Sequence, residues 1–325
     1  MPILGSFGAA GAKAFGMTAN SQLKFNVRYL VIGGGGSGGA QTDNSGGAGG
    51  YRTNEPGENS GGPSSAEAAL EISTGVDYTL TVGAGAASPG PGPTPRPFAT
   101  GGENSVFASI TSTRGGSGGP YNPATSPQQP IKDGGSGVGS YGAPGIGEGT
   151  TGQGNDGGNN GGAVGPGFGC AGGGGAGQIG QGNPSQGGNA PGGAGISSDI
   201  TNTGVQRGGG GGGGNRPQLP AGSGGAGGGG AGTNTHKSAA TAGTANTGGG
   251  GGAEGYNNQP PGIPFAILSG AGAGGSGLVV LKVPTDVTAS FSPGVTAQTI
   301  TTVPSFNIYN ITAASGSDTV SFSKA

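Results

Sequence analysis

Residues 207–232 read RGGGGGGGNRPQLPAGSGGAGGGGAG: seven consecutive glycines, a polar connector and a second glycine-rich run. An α-helix is excluded, because each interior Gly costs about 1 kcal/mol relative to Ala. A collagen triple helix fails too, since a seven-glycine run breaks any strict G-X-Y phase. An ordered polyglycine run can take another regular form. This is a left-handed threefold helix of the polyproline II type, rising about 3.1 Å per residue without internal hydrogen bonds. Alone it leaves every N–H and C=O to water. Packed side by side, with no Cβ in the way, such helices bond to one another, which buried backbone groups require. Ordering Gly costs roughly 0.5–1 kcal/mol more than ordering Ala, and a net backbone hydrogen bond returns about 0.5–1.5 kcal/mol. The terms are comparable, so a large array holds where a single run does not.

The same material fills residues 134–277. Runs at 171–177, 222–232 and 248–252 alternate with polar connectors such as QIGQGNPSQ, ISSDITNTGVQR, NRPQLPA and TNTHKSAATAGTANT. An eight-residue run spans about 25 Å at the polyproline II rise, and short connectors suit turns at both ends. The expectation is a bundle of parallel and antiparallel polyglycine II helices; the competing reading is a flexible linker.

Ordinary β sequence flanks this body. QLKFNVRYLVI (22–32) alternates and then becomes continuously apolar, as in a half-buried strand entering a core. Further strands are expected at 69–72, 78–82 (YTLTV) and 105–111 (SVFASIT), then at 277–284 (GLVVLKVP), 306–313 (FNIYNITA) and 319–323 (TVSFS). ASGSD, between the last two, suits a hairpin loop. SPGPGPTPRPFATGG (88–102) has Pro at alternate positions and is expected as an extended surface loop. The chain thus divides into an attachment arm (1–20), a β-rich part (21–133), a polyglycine II bundle with polar connectors (134–277), and a closing strand with a small C-terminal β module (278–325). The fold class is mainly β, a strand framework around a Gly-rich array, with little or no α-helix.

Composition narrows the chemistry. Of 325 residues 88 are Gly and 24 are Pro, and 8% are charged against about 25% in an ordinary domain. There is too little apolar side chain to fill one conventional core. Net charge is −2 with no basic patch, so nucleic acid is not an expected partner. The single Cys, Cys170, makes no intrachain disulfide and sits in FGCAG without a basic neighbour. His236 is the only His, which removes catalytic triads and multi-His metal sites. No cofactor or metal is expected. The first residues lack a charged start and a long apolar stretch, so no signal peptide is expected, and no window approaches the roughly 20 apolar residues of a membrane helix. YLVIGGGGSGGA (29–40) contains the dinucleotide pattern Gly33-x-Gly35-x-x-Gly38, with Glu55 downstream. That mechanism needs a helix directly after the glycines, and QTDNSGGAGGYRTNEPGEN does not hold one. The acidic residues of the body, Glu148, Asp156, Asp199 and Glu254, form no sequence cluster. No enzyme is expected.

Taken in order, YLVIGGGGSGG (29–39), GGAGGYRTN (46–54), STGVDYTLTVGAGA (73–86), GGENSVFASITSTRGGSGG (101–119), the Gly-rich body and GGSGLVVLKVP (274–284) resemble the glycine-rich domain of bacteriophage tail-fibre and other virion proteins. FNIYNITAASGSDTVSFS (306–323) is similar to the β tail that follows that domain. Related polyglycine II packing occurs in the tail-tip adhesins of T-even-type phages, although here the runs are irregular and β segments stand on both sides. The resemblance implies a structural virion protein, made in the host cytoplasm and carried on the phage tail or particle surface. Its role would be a tail-fibre or tail-tip adhesin that binds a bacterial surface glycan or outer-membrane protein. The arm would contact other virion proteins, without membrane insertion, and the chain could form a homo-oligomer. Receptor contact is expected from the polar and aromatic connector residues Tyr121, Tyr141, His236, Tyr256, Asn257 and Phe265, whose rings alternatively cap the bundle. Competing roles are a capsid decoration or fibre shaft without a receptor. An ice-binding protein would require regular Thr or Ala rows, and the connectors are uneven.

Overall fold

The computed structural model describes residues 22–39, 44–89, 101–118, 131–140, 146–160, 169–182, 190–215, 219–235, 238–255, 270–300 and 303–325. Among the described residues the regular structure is all β, with no helix. Strand β1 (Lys24–Ile32) lies inside a six-stranded antiparallel sheet. It pairs with β2 (Tyr51–Thr53) and β5 (Leu70–Ser73) on one side and with β11 (Leu278–Pro284) on the other, beyond which lie β14 (Phe306–Ala313) and β13 (Thr296–Ile300). A second sheet runs β12 (Val287–Phe291), β15 (Thr319–Lys324), β6 (Asp77–Thr81), β7 (Ser105–Phe107), β8 (Ile110–Ser112). Two short hairpins complete the set: β3 (Asn59–Ser60) with β4 (Ser64–Ser65), and β9 (Ile196–Ser198) with β10 (Val205–Arg207).

The two large sheets face each other. Val27, Tyr29 and Val31 of β1, Val279, Leu281 and Val283 of β11, and Tyr309 and Ile311 of β14 meet Leu80, Phe107, Val320 and Phe322 of the second sheet. The alternate residues Leu30, Ile32, Leu278, Val280 and Ile308 point the other way, onto Tyr51, Ala176 and Ile200. The first sheet is therefore covered on both faces, which is why β1 and β11 read as continuous apolar runs. Each fully buried large apolar side chain contributes roughly 1.5–3 kcal/mol.

Three local expectations change. SVFASIT is not one strand but the hairpin β7–β8, reversing at Ala108, whose φ is +50°. ISSDITNTGVQR, expected as a polar connector between runs, is a β-hairpin: Ile196, Ser198, Val205 and Arg207 alternate inward, while Ser197 and Gln206 face out. ASGSD does not close a β14–β15 hairpin, since β14 pairs with β11 and β13, and β15 with β12 and β6. Crossing between sheets sets Tyr309 and Ile311 in the same core as Val320 and Phe322. Asp318 ties this crossing, accepting from Ser292 Oγ (2.6 Å), Ser315 N (2.7 Å) and Ser315 Oγ (2.8 Å). The Ser292 hydroxyl, then the Ser315 amide and hydroxyl, hold its carboxyl below the usual range.

At one end of the sandwich the strands continue directly into glycine runs. β1 leads into 33–39, β6 into 82–89 and β8 into 113–118, while 44–50 leads into β2 and 270–277 into β11. The array thus recruits glycines well outside 134–277. Its bonds repeat every three residues. Along 170–176 the amides of Cys170, Gly173 and Ala176 donate to the carbonyls of Gly214, Gly211 and Gly208. Those of Ala171 and Gly174 donate to Ser140 and Gly137, and those of Gly172 and Gly175 to Gln181 and Gln178. Three neighbours, each addressed at every third residue, are what a threefold helix in a packed bundle provides. Gly33, Gly36 and Gly39 likewise bond Gly50, Gly47 and Asn44 of an antiparallel run, whereas Gly209, Gly212 and Asn215 bond Gly227, Gly230 and Thr233 of a parallel one. On the run at 238–244, Ala240 is buried between exposed Ser238–Ala239 and exposed Thr241–Ala242. A Cβ on Gly36, Gly173, Gly211 or Gly251 would come within 3.0 Å of a carbonyl oxygen of Gly116, Gly46, Gly251 or Gly272. Glycine is required here for approach, not flexibility.

Candidate functional site

The array has two unlike ends. At the end joined to the sandwich, the turns at 150–153, 176–179, 226–228 and 245–248 contain no Pro. They are bonded to the strands and to one another: Tyr51 N to Gln153 O (2.8 Å), Gly62 N to Ala176 O (2.9 Å), Gly208 N to Thr247 O (2.9 Å) and Gly248 N to Ser276 O (2.8 Å). Gly208 and Gly248 open their runs with φ of +78° and +65°, which a side chain would strain. Buried serines staple strand to run, Ser105 Oγ donating to Ile32 O and Ser112 Oγ to Gly50 O (2.6 Å each).

The opposite end is a polar rim. Bonds from Gly118 to Ser37, Gly39 to Asn44, Glu254 to Gly39, Thr233 to Ala253, Asn215 to Thr233, Cys170 to Gly214 and Ala171 to Ser140 connect the run ends in one continuous layer. Here the outermost backbone groups run out of neighbouring runs, and side-chain amides replace them. Asn160 Nδ2 donates to Gly169 O (2.6 Å), Asn215 Nδ2 to Pro220 O (2.8 Å) and Asn234 Nδ2 to Leu219 O (2.9 Å). Within the array, on the run at 131–140, Lys132 Nζ reaches Asp133 Oδ1 (2.9 Å), which also accepts the Glu148 amide (2.8 Å). Burial raises the Asp133 carboxyl, but the Glu148 amide and then Lys132 outweigh it and leave it below the usual range. Ile131 stands exposed beside them.

All six residues singled out in the sequence, Tyr121, Tyr141, His236, Tyr256, Asn257 and Phe265, lie outside the described residues, as does the arm at 1–20. The described residues from which their connectors leave, Gly118 and Ile131, Ser140, Thr235, and Gly255 and Gly270, belong to the rim. These connectors hold Pro120, Pro123, Pro127, Pro130, Pro144, Pro260, Pro261 and Pro264. Pro has no N–H to donate to a neighbouring run. The rim amides escaped the sequence reading. Their signal was an Asn or Thr closing a glycine run, as in Gly-Gly-Asn-Asn (157–160) and Gly-Gly-Asn (213–215).

A second polar group lies beneath the β9–β10 hairpin. Tyr51, Glu58, Ser198 and Arg207 gather there, with Glu58 Oε1 accepting from Ser198 Oγ (2.9 Å) and Asp199 N (2.7 Å). Burial pushes the Tyr51 phenol and the Glu58 carboxyl up and the Arg207 guanidinium down from their ordinary values. Elsewhere, Glu55 joins Lys282 Nζ (2.9 Å) to Arg28 Nη1 (3.1 Å), and both cations lie over the Phe306 ring at 5.0 and 4.8 Å. Among the described residues there is no group of three or more His, Cys, Asp and Glu placed to hold a metal ion, and no helix is long and apolar enough to cross a membrane. Cys170 is buried, its Sγ accepting the Gly214 amide (2.9 Å).

No curated protein matches this chain, and no solved structure does. One family model, described as a glycine-rich domain, matches residues 10–284, which takes in every glycine run of the array together with β1 and β11. By that match the chain belongs to the glycine-rich domain family.

Proposed function

We propose that this is a non-catalytic bacteriophage virion protein, a tail-fibre or tail-tip adhesin, that binds a host-surface glycan or outer-membrane protein. The observation behind this reading is the unlike pair of array ends. The Pro-free turns are bonded into the sandwich, while the connectors carrying Tyr121, Tyr141, His236, Tyr256, Asn257 and Phe265 all leave from the rim. A bundle held by main-chain bonds tolerates any connector sequence at its outer end, so recognition is free to vary there without unsettling the fold. Aromatic rings for stacking and neutral amides for hydrogen bonding suit sugars or uncharged protein loops. The sandwich, with the arm at 1–20, would face the rest of the particle.

The test exchanges connectors. Purified protein binds cells of a susceptible host, and replacing 119–130 and 256–269 by Gly-Ser segments of equal length abolishes binding. Replacing the Ser197 and Gln206 side chains at the sandwich end leaves binding intact. Unchanged binding after all rim connectors are exchanged would sink the proposal.

A further inference from the structure

A strand at the end of a sheet presents a row of main-chain N–H and C=O groups that no neighbouring strand takes up. In this sandwich most end strands have main-chain groups bonded outside their ladders. In β2 the Tyr51 amide donates to Gln153 O (2.8 Å), and in β5 the Ser73 amide donates to Tyr78 Oη (2.7 Å). In β8 the Thr111 carbonyl accepts from Arg52 Nη1 (3.0 Å). In β12 the Ala289 amide donates to Tyr309 Oη (3.1 Å) and the Val287 carbonyl accepts from Asn307 Nδ2 (2.9 Å). Strand β13, which ends the six-stranded sheet, differs: among the described residues its main chain bonds to β14 alone. Thr296, Ala297, Gln298 and Thr299 are all exposed. Charge or Pro usually blunts such an edge, but TAQTI has neither, and no charged residue occurs between Asp286 and Asp318.

We propose that β13 pairs antiparallel with β13 of a second copy of this chain, joining the two six-stranded sheets across a two-fold axis at Gln298. An open ladder is matched by another extended strand, and this one is complementary to itself. A two-fold axis perpendicular to the sheet keeps the same face of both copies on one side. It must then pass through a residue, and Gln298 is the middle one. Thr296 stands opposite Ile300, Ala297 opposite Thr299, and Gln298 opposite its own copy, so β-branched residues recur across the seam and no like charges meet. The bulge at Thr296/Ala297 lies at one end and leaves Ala297–Ile300 regular. Such a contact is isologous and closes at two copies.

Analytical ultracentrifugation of the full chain over a range of concentrations tests this. The expected result is a concentration-dependent dimer in which the amides of 296–300 exchange more slowly than in the dilute monomer. Gln298→Lys sets like charges against each other at the axis and should abolish the dimer with an unchanged circular-dichroism spectrum. Gln298→Cys should cross-link to its own copy under mild oxidation, because opposite residues of an antiparallel pair lie about 4.5–5.5 Å apart at Cα, within disulfide reach. A chain that stays monomeric, a trimer, or a dimer that Gln298→Lys leaves intact overturns the proposal. If the Lys variant does not fold, exchange in the wild type decides: a dimer without slower exchange at 296–300 overturns it.

Discussion

In the sandwich, Phe107 and Phe322 are buried between two sheets, and a layer of side chains separates the backbones. In the array, Gly173 and Gly211 bring one main chain so close to the next that a single Cβ has no room. Both regions bury their backbone groups in bonds between segments, but one excludes water with side chains and the other with backbone. The two should therefore fail in opposite ways. A sandwich position is vulnerable to deletion, which leaves a cavity, and an array position to addition, which forces runs apart.

Phe107→Ala should cost about 3–5 kcal/mol in urea unfolding, the usual penalty for emptying a buried aromatic site. Gly173→Ala comes next. Overpacking costs about 1–3 kcal/mol, partly offset by roughly 0.4–1 kcal/mol from a stiffer unfolded chain. A neutral or stabilising result at Gly173 would show that the runs are not packed backbone to backbone. Hydrogen exchange sharpens the same contrast: the amides of Gly173 and Gly211 should be protected as strongly as those of Val279 and Leu281, and exchange within seconds would break the equivalence.

A smaller effect concerns the crossing between sheets. The Asp318 carboxyl is held below its ordinary value by Ser292 and then Ser315. The folded state therefore binds its proton less readily than the unfolded one. Its contribution is present above the unfolded value and is lost as pH falls through the depressed one. Asp318→Asn should lower the melting temperature at pH 7, and the difference should begin to shrink as pH falls below the value near 3.9 of an unperturbed Asp and vanish once pH lies below the depressed folded value. A difference that persists at low pH would mean that the side chain acts by shape rather than charge. The smallest change expected is at Gly316, where an added Cβ meets nothing within 4 Å. Gly316→Ala should stay within about 0.5 kcal/mol of wild type, the control that separates glycine in the array from glycine in a loop.

Much of the framework was legible in the residues. The alternation in Lys24–Ile32 and Phe306–Ala313 and the apolar run in Leu278–Pro284 marked strands, and seven consecutive glycines, which neither an α-helix nor a collagen phase accepts, pointed to polyglycine II. Short-range pattern failed where partners were distant. SVFASIT alternates like one strand, yet its middle reverses at Ala108. TVSFS follows a loop suited to a hairpin, yet its core lies across the sandwich, beside β6. The residues 196–207 resembled the other polar connectors because half of the hairpin is Ser, Thr, Asn and Gln, and only its inward positions meet Tyr51 and Ile200. The rim was hidden for a similar reason: an Asn after glycines caps a neighbouring run only if one ends beside it.

By itself the sequence determined the materials: too few apolar side chains for one large core, β segments at both ends, and a glycine body that is ordered only if backbone packs on backbone. Tertiary structure decided which runs are neighbours, in which direction they lie, and which run ends lie away from the sandwich. Glycine runs carry almost no side chain to specify a partner, so their register depends on what is attached at their ends. Strands β1, β2, β6, β8 and β11 set the position and direction of the runs that continue them, and the three-residue bonding then propagates that order through the rest of the array.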